Sequence, residues 1–313
     1  MNCDNAFGNI LPGIISFAGI ALSGMVHAEV RTWTATDGRT LEAEFLRADN
    51  SSVTMRRGGK EFSLTLDKLS EEDKEYVQGR LEAAERFDLS ELGDYAKYAT
   101  GGWVKGEIEG LPFQIHAPAD YKAGQPIPLV IFLHGVGERG EDNEKQVNGW
   151  PRIFATPENQ AKRQCIVVVP QCPSDKYWSN NDVTKQVIEM TEVLTENMPV
   201  DESRVYLTGF SMGGYGTWAA LGEDPKRFAA AVPIAGGGDP GIARSIKKVP
   251  IWNFHGDKDD AVDVSSSRTM VEALEKARGN ITYTEFEGAG HQIADRVLKD
   301  EKVQQWLFSQ RKK

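Results

Sequence analysis

The chain has 313 residues, 26% of them charged and 40% hydrophobic, with a formal net charge of −10. That length suits one large domain or two of ordinary size. The composition lies outside the disordered and fibrous classes, and the acidic balance argues against nucleic acid or an anionic membrane as a partner.

Residues 10–26 form an apolar run, ending in Val26-His27-Ala28 before the charged Glu29. This pattern fits the apolar core and small-residue cleavage site of an export signal over residues 1–28, cut after Ala28. The preceding stretch departs from the usual form, with Asp4 and neither Lys nor Arg. Gly residues and Pro12 break the run, which is short for a spanning helix. The mature chain is therefore expected to be secreted or periplasmic, with no membrane span. Cys3 would leave with the signal. Cys165 and Cys172 flank an apolar strand, and seven extended residues reach about 23 Å. A disulfide tolerates roughly 7 Å between Cα atoms, so these two should not pair with each other. No cysteine spacing suits a metal, and neither metal nor cofactor is expected.

Residues 29–79 hold several short strands. Leu41, Ala43 and Phe45 alternate with Glu42 and Glu44. Val53 and Met55 flank Thr54, and Phe62, Leu64 and Leu66 alternate with polar residues. Tight turns join them, as in a small β-barrel. Ser70 with Asp73 caps a helix expected to run to about residue 87. Arg31-Thr-Trp-Thr34, Asp37-Gly-Arg39, Glu42-Ala-Glu-Phe45 and Leu69-Ser-Glu-Glu-Asp73 resemble the SH3-like homology domain first described in endocytic adaptor proteins. The resemblance implies a module binding a protein or surface ligand; a structural cap is the alternative. Residues 80–100 read as a charged helical linker.

From residue 101 to 313, strands and helices alternate. Strands are expected at 103–109, 111–117, 129–133, 165–169, 205–207, 229–234, 250–254 and 281–286. Helices are expected at 183–196, 215–221, 265–276 and 293–308. Apolar strands separated by helices indicate a mostly parallel sheet covered on both faces.

Within this segment lies Gly209-Phe-Ser-Met-Gly213, a G-x-S-x-G pattern between a strand and a helix. A serine at such a turn sits at a strained apex with its hydroxyl exposed, so Ser211 is the candidate nucleophile. It needs a base to take its proton. His116 lies inside an early strand, whereas His134, His255 and His291 each follow a strand, where the chemistry of open sheets gathers. In α/β-hydrolases the order is nucleophile, acid, histidine. That order selects His291, with the acid among Asp257, Asp259 and Asp260.

Leu133-His-Gly-Val-Gly-Glu-Arg-Gly140, the stretch around Ser211, His255-Gly-Asp-Lys-Asp259 and Gly288-Ala-Gly-His291 resemble α/β-hydrolases of the dienelactone hydrolase and prolyl oligopeptidase-like branch. The nearer likeness is to secreted bacterial carboxylesterases related to feruloyl and acetylxylan esterases. The resemblance implies an α/β-hydrolase fold and selects Asp259 as the acid. One oxyanion donor is the backbone N–H of Met212. The resemblance implies Val136 for the other, with Gly135 the alternative. Segments beyond the strand ends should line the cleft, with Gly135, Trp150, Tyr177 and Trp178 facing substrate and His134 bracing the loop. The expected activity is serine carboxylic-ester hydrolysis on small or polysaccharide-linked esters. A prolyl oligopeptidase-like peptidase is a rival, although 50 residues cannot form the propeller such enzymes carry. A binding protein on a non-catalytic hydrolase scaffold is the other.

Overall fold

A computed structural model describes residues 30–85 and 88–312. The expected export segment, with Cys3 and His27, lies outside the described residues. The chain divides into two compact units, meeting in sequence at residues 86 and 87.

The first unit is an antiparallel meander of β1 (Val30–Thr34), β2 (Thr40–Ala48), β3 (Ser52–Arg57) and β4 (Lys60–Thr65), followed by helix α1 (Glu71–Glu85). A single bridge, Ala35 to Leu69, ties the chain after β4 back to the end of β1. The alternation in β2 and β3 turns Leu41, Ala43, Val53 and Met55 inward onto Trp33, where Leu64, Leu69 and Val77 complete the core. The Trp33 indole N–H donates to Ala43 O at 3.0 Å, satisfying the one polar atom of that ring. Asp73 is also buried, but Arg31 and the Thr34 amide both donate to it. Its own amide donates to Ser70 Oγ at 3.2 Å, the expected cap of α1.

The second unit is a mostly parallel eight-stranded sheet with helices on both faces. Its eight strands are β5 (Trp103–Ile108), β6 (Leu111–His116), β7 (Ile127–Leu133), β8 (Ile166–Pro170), β9 (Val200–Phe210), β10 (Ala230–Ile234), β11 (Ile251–Gly256) and β12 (Ile281–Phe286). They lie in the order β12-β11-β10-β9-β7-β8-β6-β5. From β7 to β12 every pairing is parallel; β6 runs antiparallel to β8, and β5 to β6. The continuous apolar strands are explained by burial on both sides. Leu129, Ile131 and Leu133 of β7 join one core with α3 (Asn181–Asn197) and α4 (Met212–Glu223), while Val130 and Phe132 join another with α7 (Ala294–Leu298) and α8 (Glu301–Ser309). Each fully buried aliphatic side chain contributes about 1.5–3 kcal/mol relative to exposure. Shorter helices are α2 (Pro157–Lys162) and α5 (Ala243–Ile246); α6 (Ser265–Lys276) precedes β12. Among the described residues no helix is long and apolar enough to cross a membrane.

Two expectations need correction. Residues 80–100 are not one regular helix: α1 is described to Glu85, and Leu89–Tyr98 forms tight 3₁₀ turns with non-helical backbone at Gly93. Leu92 and Tyr98 of those turns are buried in the hydrolase core, with the Tyr98 ring 5.7 Å from Phe113. Their apolar side chains draw the segment onto the sheet. The closing helix is also interrupted, because the Asp300 carboxylate accepts from Lys302 N and starts α8 as a separate helix.

Going from β7 the chain crosses to β8 on one side, and from β9 to β10 on the other. The carboxyl ends of β7 and β9 thus form a topological switch point, the place where open α/β sheets bind ligands.

Candidate active site

Ser211 sits directly after β9 at φ 57°, and its amide donates to Ile234 O at 2.9 Å. This conformation is costly for a residue with a side chain, and its surroundings hold it there. A Cβ on Gly213 would stand 1.8 Å from Leu133 O and 2.9 Å from His134 O. Only a glycine lets the first turn of α4 pack so closely on the end of β7.

His291 and Asp259 arrive from two other strand ends. The loop after β12 passes directly over Gly256, where a Cβ would lie 2.3 Å from Ala289 O. Lys258 N then donates to Ala289 O at 2.9 Å, fastening the two loops together. His291 is thereby placed between serine and acid: Nε2 is 2.9 Å from Ser211 Oγ and Nδ1 is 2.7 Å from Asp259 Oδ2. The Asp259 side chain is fully buried. Burial raises its pKa, but donation from His291, Val262 and Ala261 outweighs that and holds it below the ordinary carboxylate value. With Nδ1–H bound to a carboxylate, Nε2 presents a lone pair to the serine hydroxyl. This arrangement can take a proton from Ser211 as it attacks. Of the three candidate acids, Asp259 is the one that meets His291; Asp260 is exposed.

The other histidines stand elsewhere. His116 is buried at the end of β6, its ring 5.7 Å from that of Trp103 on the neighbouring strand. His255 is buried behind Asp259. His134 braces the loop after β7. Its Nδ1–H donates to Gly135 O at 2.6 Å, and its Nε2 accepts from Cys172 N at 3.0 Å. Burial, only partly offset by the bond to Gly135, holds its pKa down at about 4 against the ordinary 6.5. The unfolded chain therefore binds a proton between those values that the folded chain does not. This group's stabilisation is complete above about pH 6.5 and is lost as pH falls toward 4, by at most about 3 kcal/mol. Urea unfolding at pH 7 and pH 4.5 should show a larger loss of stability for the parent than for His134→Gln. Equal losses would contradict the assigned neutral ring.

Met212 heads α4, where the first amide groups have no intrahelical acceptor. Val136 opens a 3₁₀ turn after β7 and is 49% exposed. Gly135 is buried, and a Cβ there would lie 3.3 Å from Glu138 Oε2. Burial raises the pKa of the Glu138 carboxyl. The buried Gln171 donates to Glu138 O and Asp142 and accepts from Asn143 N, so the loop is pinned along its length.

The expected substrate-facing aromatics divide. Trp178 is 1% exposed, its indole N–H donates to His134 O, and it packs under Gly216 of α4. It is a wall of the fold and offers no surface to a substrate, which corrects the expectation. Trp150 is half-buried, its ring 4.6 Å from Phe210, which in turn lies 4.8 Å from the His291 ring. Phe210 was missed, although it occupies the first variable position of the G-x-S-x-G pattern. Tyr177 is 51% exposed beneath the Arg139 guanidinium, which donates to Val136 O and Lys176 O and so joins the loops after β7 and β8. Two cavities of about 600 and 540 Å³ include Ile127 and His116 in their linings and open at the opposite end of the sheet from Ser211.

Residues 174–305 match the sequence profile of the dienelactone hydrolase family. A bifunctional acetylxylan esterase/xylanase from Neocallimastix patriciarum is 28% identical, over 50% of this chain and 22% of that protein. Feruloyl esterase D from Neurospora crassa is 21% identical, over 53% of this chain and 59% of that one. The crystal structure of a thermostable esterase is 35% identical with a TM-score of 0.63, covering 67% of this chain and 63% of that one. The chain thus spans less than two thirds of the length of these relatives. Sheet order, strand directions and these likenesses agree that the chain has the α/β-hydrolase fold, is similar to dienelactone hydrolases and esterases, and carries a small antiparallel sheet before it.

Proposed function

We propose that the chain is a serine carboxylic-ester hydrolase that works through an acyl-enzyme and removes acetyl- or feruloyl-type groups from small or carbohydrate-linked esters. The observation that carries this is the hydrogen-bonded row of Ser211, His291 and Asp259 at the switch point. Ser211 Oγ attacks the ester carbonyl while Nε2 of His291 takes its proton. The N–H groups of Met212 and Val136 face the oxyanion that forms. Collapse expels the alcohol, which receives the proton from His291, and water activated by the same imidazole releases the acid. In this reading Trp150, packed on Phe210, and Tyr177 bound the acyl or sugar group. Turnover of p-nitrophenyl acetate, methyl ferulate and acetylated xylan tests this. Ester turnover with little amide turnover is the expected result; preference for peptide substrates, or no turnover of any ester, would overturn it.

The antiparallel unit, read as an SH3-like module on an exported protein, holds the esterase near a polymer or surface and so raises the local ester concentration. It has its own core and cap, so a chain beginning at Asp88 should fold. That start keeps Leu92 and Tyr98. Rates on p-nitrophenyl acetate should stay within about twofold of the parent, with a loss on insoluble acetylated polysaccharide. A folded but inactive Asp88 form would end the tethering role.

A further inference from the structure

We propose that His255 is a positioning residue for Asp259, so that the acid is shared by two imidazoles. This role rests on ester hydrolysis at Ser211 as proposed above. His255 is the last but one residue of β11, and its ring is fully buried. Burying a polar ring costs free energy unless both nitrogens are bonded, and a phenyl or leucine side chain would fill such a place without that cost. Both nitrogens are engaged here, Nε2 on the acid turn and Nδ1 on α6. Nδ1 is 2.7 Å from Ser267 Oγ in the first turn of α6. Nε2 is 2.9 Å from Val262 O and 3.1 Å from Asp259 Oδ2. A carbonyl and a carboxylate accept only, so Nε2 carries the hydrogen.

The ring therefore holds the 259–262 turn from behind. Val262 is gripped twice: its carbonyl accepts from His255, and its amide donates to Asp259 Oδ1 at 2.8 Å. Ala261 N donates to the same oxygen at 2.9 Å. Oδ2 is left between His291 Nδ1 at 2.7 Å and His255 Nε2 at 3.1 Å. Ser267 Oγ also lies 2.8 Å from Gly236 O, beyond β10, but its one hydrogen goes to Nδ1, so the strut is anchored in α6. The carboxylate cannot turn or withdraw from His291 without breaking this support. A displacement of about 1 Å in such a row can cost on the order of 100-fold in rate.

The test compares His255→Asn, which is too short to present a donor where Nε2 stands, with His255→Gln, whose amide reaches that place. Both are assayed on p-nitrophenyl acetate, with folding checked by circular dichroism and active enzyme counted by fluorophosphonate labelling. His255→Asn should lower kcat about 10- to 100-fold with KM nearly unchanged, and His255→Gln should recover most of that loss. A folded His255→Asn protein with the parent kcat, or a Gln variant no better than Asn, would overturn the role. Should His255→Asn fail to fold, Ser267→Ala keeps the ring and removes its anchor. It should then lower kcat several-fold at unchanged KM, and an unchanged kcat would again overturn the role. Parent-level turnover by Ser211→Ala would instead sink ester hydrolysis at Ser211, and the positioning role with it.

Discussion

Replacing Ser211 with alanine is expected to leave a folded protein that has lost on the order of 10⁴- to 10⁶-fold of its ester turnover. The change removes one oxygen, whose partner is His291 Nε2. It leaves the bond from the residue 211 amide to Ile234 O untouched. The positive φ is no worse for alanine than for serine, since both carry a Cβ, and Gly213 still admits Leu133 O. Thermal unfolding should therefore be close to that of the parent, while fluorophosphonate labelling disappears. A Ser211→Ala protein that keeps a tenth or more of the rate would place the nucleophile elsewhere.

Asp259→Asn is expected to cost about 10⁴ in kcat, the size seen when the acid of a Ser-His-Asp row becomes an amide. The surroundings make the reason specific. Two backbone amides, Ala261 and Val262, donate to Oδ1, so the asparagine oxygen must take that place. Its NH₂ group is then forced onto the Oδ2 side, facing Nδ1 of His291. That nitrogen must become an acceptor, the ring hydrogen moves to Nε2, and the serine hydroxyl loses its base. The same NH₂ group meets the Nε2–H of His255, so stability should fall as well. A kcat loss below tenfold in the folded variant would mean that His291 is oriented by something other than Asp259.

Much of this architecture was legible because burial leaves a clear imprint on composition. β12 and α6 coincide with the residues expected. β9 was seen only at 205–207, since its start runs through Asp201, Glu202, Ser203 and Arg204, where the register with β7 shifts. Those residues look like a loop; in the fold Asp201 binds Arg204 and Arg311 at the sheet end. Ser211, His291 and Asp259 could be selected by residue type and order along the chain. The direction of an aromatic ring could not be, because residue type alone does not separate the buried Trp178 from the half-buried Trp150. The hold of His255 on the acid turn was equally hidden. It depends on Ser267 and Val262, whose spacing from His255 marks no motif.

The three residues of the hydrogen-bonded row stand at the ends of β9, β11 and β12, locked by close backbone contacts at Gly213 and Gly256. Tyr177 and Trp150 come instead from the connections after β8 and β7. Heritable change can thus accumulate in one set of loops while the other stays under steric veto. Under the ester hydrolysis proposed above, a lineage carrying this scaffold would trade one ester for another by altering residues 139–163 and 173–180, with the hydrogen-bonded row passed unaltered from ancestor to descendant.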